Sequence, residues 1–311
     1  MSRPDAPHSI PWLAYASLAL STSLVGSYVG LSKLLVLVFP VFLLAWLRFG
    51  MAAVFMLPWL RRAPHEPRLD GRTRGLLFLE SFLGNFLFSI CLLYGLRASS
   101  AVVAGVILAG IPAAVALLSR LVLGERIAPR VAAGIALSVA GIALVALGRS
   151  GDAMAGTSTW GALLVLGAVF CEACYVVIGK RLTQDLPPRR ISALINLWGL
   201  VLVTPLGLWQ ALSFDFAAVQ PGSWGLLLFY AVAASMVTVW LWMHGLQQVP
   251  AARAGVFMVF LPIATALVGL VWLGESISLL QALAYALALA GVLLATWPDS
   301  AAAQPQHMTR R

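Results

Sequence analysis

The chain has 311 residues, 61% of them hydrophobic and 10% charged, with mean hydropathy +0.94 and a formal net charge of +9. Soluble domains carry about a quarter charged residues, so this composition excludes a soluble globular domain, a disordered chain and a secreted disulfide scaffold, and describes an all-α polytopic membrane protein. The excess of Arg over acid then reads as a marker of membrane orientation and not as a nucleic-acid footprint.

Crossing about 30 Å of hydrocarbon takes about 20 largely apolar residues of helix. Ten such segments fit, near 11–32, 39–60, 75–96, 98–119, 130–148, 158–180, 191–213, 223–246, 251–273 and 277–297. Helices are required because backbone polar groups in lipid must be satisfied within the segment, and no run has the short alternation of a barrel strand. The first segment follows one Arg and one Asp and precedes no small-residue cleavage site, as expected of a retained helix and not a signal peptide. Breakers and charges mark the boundaries: Arg61, Arg62 and Pro64, then Gly124 and Pro129, then Pro187 and Pro188, then Pro221 and Gly222.

With a cytoplasmic N-terminus, sixteen basic residues fall in inside loops and tails, among them Arg61, Arg62, Arg72, Arg120, Arg126, Lys180, Arg181, Arg189, Arg190 and Arg253. The outside loops hold only Lys33, Arg97 and Arg149, and Arg48 lies within the second segment. This bias predicts both termini in the cytoplasm, in a cell (inner) membrane.

The chain repeats itself. Residues 95–144 aligned without a gap on 245–294 share 20 of 50 positions, including Pro112/Pro262, Leu123-Gly124-Glu125/Leu273-Gly274-Glu275 and Gly141/Gly291. A weaker echo at offset 147 joins Tyr28 to Tyr175 and Lys33 to Lys180. Units of five helices, 1–150 and 151–311, place the second upside down relative to the first. The charges agree, since Arg120, Arg126 and Arg130 around the first Leu-Gly-Glu turn match Leu270, Ser276 and Leu280 around the second. Inverted repeats of this kind build secondary transporters, whose halves rock around a site near the midplane.

The stretches GSYVGLSK (26–33), LRFGMAA (47–53) and GLRASSAVVAGVILAGIP…LGERI (95–127) resemble the EamA family of the drug/metabolite transporter superfamily. The resemblance spans nearly the whole chain as two five-helix units. It implies a ten-helix carrier of small metabolites, often amino acids. Small multidrug members of the superfamily carry a Glu in the first helix; residues 11–32 hold no acid, so cation exchange by that route is not expected.

Several polar residues stand inside apolar segments, where each needs a partner. Arg48 is either a structural clamp on helix-end carbonyls or a ligand for a substrate anion. Glu172 and Glu80 are candidate coupling residues, because a carboxyl that gains and loses a proton in a dry site is what a proton-coupled carrier uses; either could instead pair permanently with Arg48. Asn85 and Asn196 present amides that a substrate could satisfy. Tyr28, Tyr175, Trp240 and His244 are candidate walls of a binding cavity, with Trp242 and Tyr230 beside them. Pro112 and Pro262, read as mid-helix kinks flanked by small residues, are candidate gating positions, the other reading being tight packing. Glu125 and Glu275 sit at helix ends in the repeated turn, where capping accounts for them.

Cys171-Glu-Ala-Cys174 has C-x-x-C spacing but lacks further ligands, so neither a metal nor another cofactor is expected. No phosphate-binding G-x-x-x-x-G-K-[ST] occurs, which excludes ATP-driven transport by this chain alone. The expected function is alternating-access transport, as an exporter of amino acids or similar amphipathic metabolites, with no enzymatic activity. The rival is an integral membrane enzyme acting on a lipid or isoprenoid head group.

Overall fold

The computed structural model describes residues 11–62, 66, 69–98, 107–108, 110–147, 158–261, 263–264, 267 and 279–297. Among them every regular element is helical.

α1 is Trp12–Val38, and α2 is Val41–Met56 continued by a 3-10 turn, Leu57–Leu60. α3 (Gly71–Ser81) passes through a π-helical turn, Phe82–Leu87, into α4 (Phe88–Ala98). α5 (Ile111–Val122) and α6 (Pro129–Leu147) follow. α7 (Thr159–Asp185) and α8 (Pro188–Leu212) are the longest of the second half. α9 (Pro221–Ala231) runs through a second π turn, Val232–Val237, into α10 (Thr238–Gln248). α11 (Ala251–Val256) and α12 (Leu279–Thr296) complete the described chain. Pro40, Pro129, Pro188, Pro221 and Pro250 stand at helix starts, where a missing N–H costs nothing.

The repeat read in the residues recurs in the element bounds. α1 and α7 are offset by 147 at both ends, and α2 and α8 by 147 at their starts; α3 and α9, the two π turns, and α4 and α10 are each offset by 150. Packing is reciprocal as well: α1 lies on α10 while its counterpart α7 lies on α4, and α2 pairs with α8, α5 with α11 and α6 with α12. The α6–α12 crossing is the closest. A Cβ on Gly134 would meet the Gly291 carbonyl at 2.6 Å, so only glycine lets these backbones touch.

Five helices are long and apolar enough to cross a membrane among the described residues: Val41–Leu60, Gly71–Leu92, Thr159–Asp185, Pro188–Leu212 and Pro221–Gln248. Their outward faces are apolar, with Val54, Phe55, Leu166, Phe170, Val201 and Phe229 exposed, as a lipid-facing surface requires. Trp12, Trp160, Trp209 and Trp297 stand exposed at helix ends, at the depth where indole rings anchor to head groups.

Two helices outrun their expected ends: α1 continues beyond residue 32 to Val38, and α7 beyond 180 to Asp185. In α7 the reason is visible. Lys180 folds its ammonium onto the end carbonyls of α10, so the charge is satisfied without ending the helix. Pro112 also departs from expectation. Within the described residues it lies in the first turn of α5, just after a turn in which the Gly110 N–H bonds the Ile107 carbonyl at 3.0 Å and which parts α5 from the helical residues 107–108. Pro262 and Glu275 lie outside the described residues.

Candidate functional site

The chain reversals after Leu60 and at 123–128, 186–187 and 249–250 share one face, joined by contacts of Glu66 with Arg190, Glu125 with Ala251 and Lys180 with Leu246; it carries most of the described arginines and is termed the basic face below, while 39–40 and 213–220 lie on the opposite face. Between the two, a cavity of about 510 Å³ opens where the two halves meet.

Both π turns border the cavity, through Asn85 in the first and Ala234 in the second. A π turn swells the helix and breaks the regular ladder, which is why such turns gather at functional sites. Here Thr238 closes one by donating its hydroxyl to the Ala233 carbonyl at 2.7 Å. Val25, Phe88, Leu92, Leu108, Ile111, Val239, Met258 and Leu261 make most of the wall apolar.

Two charged side chains enter this apolar space. Arg48 is seven residues into α2, about 10 Å from its start. Its guanidinium lies over the Phe49 ring at 4.3 Å and the Tyr230 ring at 5.5 Å, and among the described residues it meets no carboxylate. Its Nε, shielded from solvent, has no hydrogen-bond partner. Glu172, on α7 of the other half, also lines the cavity and makes no hydrogen bond or ion pair among the described residues. Among the described residues Arg48 therefore clamps no helix-end carbonyl and pairs with neither Glu172 nor Glu80.

Asn85 and Tyr175 join Arg48 and Glu172 at the wall, and Pro112 lies beside them. The Asn85 amide donates weakly to the Ser81 hydroxyl at 3.4 Å, which in turn donates to the Ile195 carbonyl at 2.9 Å. Tyr175 packs its ring against Gly84 in the first π turn. The Tyr28 side chain lies outside the described residues.

Trp242 also lines the cavity, and Tyr230 lies under Arg48; the other candidates lie elsewhere. Asn196 is buried between α8 and α2 and donates to the Phe49 carbonyl at 3.0 Å, a tie between the helix that carries Arg48 and its counterpart. Trp240 faces Trp59 at 6.3 Å and His244 at 6.3 Å, near the basic face; the His244 ring pairs with the Gln248 amide at 3.2 Å. Glu80 is fully buried below the cavity, beside Gly179, Met243 and Leu246, with neither carboxyl oxygen hydrogen-bonded.

Ser21, Thr22 and Thr238 line the cavity without having been singled out in the sequence. Their hydroxyls bond helix carbonyls: Ser21 to Thr238 at 2.8 Å and Thr22 to Phe257 at 3.0 Å, both between halves. A weakly polar residue that back-bonds to a helix leaves little trace in hydropathy. The usable signal was adjacency, three hydroxyl residues in a row at Ser21, Thr22 and Ser23.

Toward the basic face the cavity is shut. The largest apolar cluster, with Leu18, Leu77, Val115, Leu182, Leu246 and Val249, fills that side. A polar layer covers the cluster. Gly124 takes a left-handed φ of 68°, turning the chain after α5 so that Glu125 projects toward the other half. Both Glu125 oxygens accept backbone N–H groups at the start of α11, from Ala251 at 2.9 Å and Ala252 at 3.2 Å. The repeated Leu-Gly-Glu turn thus caps a helix of the opposite repeat, where a carboxylate also meets the positive end of the helix dipole. Lys180 donates to the carbonyls of Leu246 at 2.8 Å and Gln247 at 3.2 Å, and Arg253 donates to the Tyr15 hydroxyl at 3.1 Å. Arg190 and Glu66 form a buried ion pair at 2.8 Å.

Two matches to the EamA-like transporter family, over residues 12–147 and 159–297, cover both halves. The chain belongs to that family. It is 32% identical over 284 residues to the uncharacterized transporter YetK of Bacillus subtilis (strain 168), covering 90% of this chain and 86% of that protein. The uncharacterized transporter YyaM of the same organism is 25% identical over 254 residues, covering 81% of this chain and 83% of its own. A protein of known crystal structure superposes with a TM-score of 0.71 over 93% of this chain and 97% of its own, at 18% identity, and so shares the fold. This EamA-family chain is a multi-pass membrane protein of a transporter family. Among its described residues no group of three or more His, Cys, Asp and Glu is arranged to hold a metal, and Cys91, Cys171 and Cys174 are free thiols.

Proposed function

We propose that this EamA-family chain is a secondary transporter that exports amino acids or similar small amphipathic carboxylates by alternating access, coupled to protons. One observation carries the reading: a guanidinium and a carboxylate that, among the described residues, have no oppositely charged partner enter the same apolar cavity, one from each half. A zwitterion with an apolar body satisfies both charges and the wall between them. Arg48 receives its carboxylate through a planar fork, Glu172 its ammonium, and Asn85 and Tyr175 border the space. Because the two charges belong to different halves, rocking of the halves changes the distance between them and releases the ligand.

In this reading residues 1–150 and 151–311 are two inverted five-helix units, ten spans in all, in a cell (inner) membrane with both termini cytoplasmic. The polar layer on the basic face is then the closed inner gate, and the cavity faces outward. Protonating Glu172 removes its hold on the ammonium, which makes proton binding and cargo release alternatives at one group. Glu80, fully buried between Glu172 and the basic face, is the second coupling carboxyl. Pro112, opening α5 at the cavity wall, marks the point about which that helix swings.

Purified protein in proteoliposomes, tested with amino acids and with the matching amines and carboxylic acids, with and without a pH gradient, checks this reading. The expected result is transport of compounds bearing a carboxylate, accelerated by the gradient. Equal transport of amines lacking the carboxylate, or no movement of any compound, would overturn it.

A further inference from the structure

Trp240 and His244 are drawn away from the cavity into a second cluster, built where α2, α8 and α10 end at the basic face. Trp59 comes from the turn after α2, Arg189 from the first turn of α8, and Trp240 and His244 from successive turns of α10, eight and four residues before its end at Gln248. The exposed Arg189 guanidinium is held over both indole rings, 6.0 Å from the centre of Trp59 and 5.6 Å from that of Trp240. Two rings fix the cation by its face, at the cost of the freedom an arginine on a membrane surface ordinarily keeps. Its N–H edge is left without an acceptor: among the described residues Arg189 makes no hydrogen bond or ion pair. The contrast with its neighbour is sharp, since Arg190 is neutralised by Glu66 at 2.8 Å.

From this cluster we infer a binding site for the head group of one anionic phospholipid in the leaflet at the basic face. The occupant follows from position and charge. The ring of Trp59 stands where α2 ends, at the level of lipid phosphates, with Trp240 facing it at 6.3 Å and Arg189 at the start of α8. The guanidinium fork matches two oxygens of a phosphodiester, and the exposed apolar side chains of Val54, Phe55 and Leu57 on α2 offer a surface for an acyl chain. A zwitterionic lipid carries its own ammonium beside the phosphate and gains less from an unpaired cation. The site is separate from the cavity and does not depend on what the protein transports.

Native mass spectrometry of the full-length protein, delipidated in detergent and titrated with dioleoyl phosphatidylglycerol, dioleoyl phosphatidylcholine or inorganic phosphate, tests this. The expected result is one phosphatidylglycerol retained per chain about tenfold more tightly than phosphatidylcholine, with Arg189→Gln abolishing the difference and Arg72→Gln, an exposed arginine at the start of α3, leaving it intact. Trp240→Phe, which keeps a ring in place, weakens retention without abolishing it. Equal retention of the two lipids by the unaltered protein, or an Arg189→Gln variant that still discriminates, overturns the site. Suppression of lipid retention by millimolar inorganic phosphate would also overturn it, because the pocket would then serve a soluble anion.

Discussion

The cavity and the polar layer beneath it are made of the same residue types and treat them in opposite ways. At the basic face Glu125, Lys180, Arg190, Glu66 and Arg253 all have partners at 2.8–3.2 Å. In the cavity Arg48 and Glu172 have none among the described residues. Burying an unpaired charge is expensive, so a fold that can pair its charges in one layer and leaves them open in the next is holding them for something else. On the proposed reading, stability resides in the first region and transport in the second.

Substitutions break or sharpen this contrast. The largest effect belongs to Arg190→Ala, which strands the Glu66 carboxylate in a buried place and should cost about 3–5 kcal/mol, read as a fall in melting temperature and folded yield. Glu125→Ala removes the cap on Ala251 and Ala252 and should cost about 1–2 kcal/mol. It should also raise the rate at which a cysteine at Thr22 is labelled from the basic face, because the same contact closes the cavity there. Arg48→Leu should go the other way: a melting temperature equal to or above that of the unaltered protein, within about 0.5 kcal/mol, since it removes a charge the fold does not pair. A loss as large as that of Arg190→Ala would show that Arg48 is structural and erase the contrast. The smallest effect is at Asp70, which caps α3 by accepting the Thr73 N–H at 2.8 Å. Hydrogen bonds from the Thr73 side chain and backbone hold its carboxyl below the usual range. A depressed acid contributes stability at neutral pH that is lost as pH falls through its folded value, below about 4. Asp70→Asn should therefore lower stability slightly at pH 7, by an amount that shrinks as the pH falls through the acid range, measured as paired thermal melts.

The sequence showed the helical class, most boundaries and the repeat because these rest on patterns that run along the chain. Apolar runs of membrane length, prolines at helix starts and the matched Leu-Gly-Glu turns need no knowledge of what packs where. The site was legible in part. Arg48, Glu172, Asn85 and Tyr175 reach the cavity because a polar group deep in an apolar helix has few other places to go. Asn196, Trp240 and His244 share that description and were turned elsewhere by helix rotation, which hydropathy does not record. The π turns at 82–87 and 232–237 carry no propensity signal, and Ser21, Thr22 and Thr238 hide their polarity by bonding helix carbonyls. Glu125 was expected to act as a helix cap and does so. The helix it caps belongs to the opposite repeat, a contact that depends on how the halves meet.

The central claim is that the two unpaired charges of the cavity do different work. Initial rates of export in proteoliposomes, measured from pH 5.5 to 8.5 for the unaltered protein, Arg48→Lys, Arg48→Leu and Glu172→Gln, test it most directly. The account predicts that Arg48→Leu loses transport at every pH, that Arg48→Lys keeps the profile with weaker apparent affinity, and that Glu172→Gln transports with a flat profile. Wild-type rates in Arg48→Leu, or an unchanged pH profile in Glu172→Gln, would contradict it.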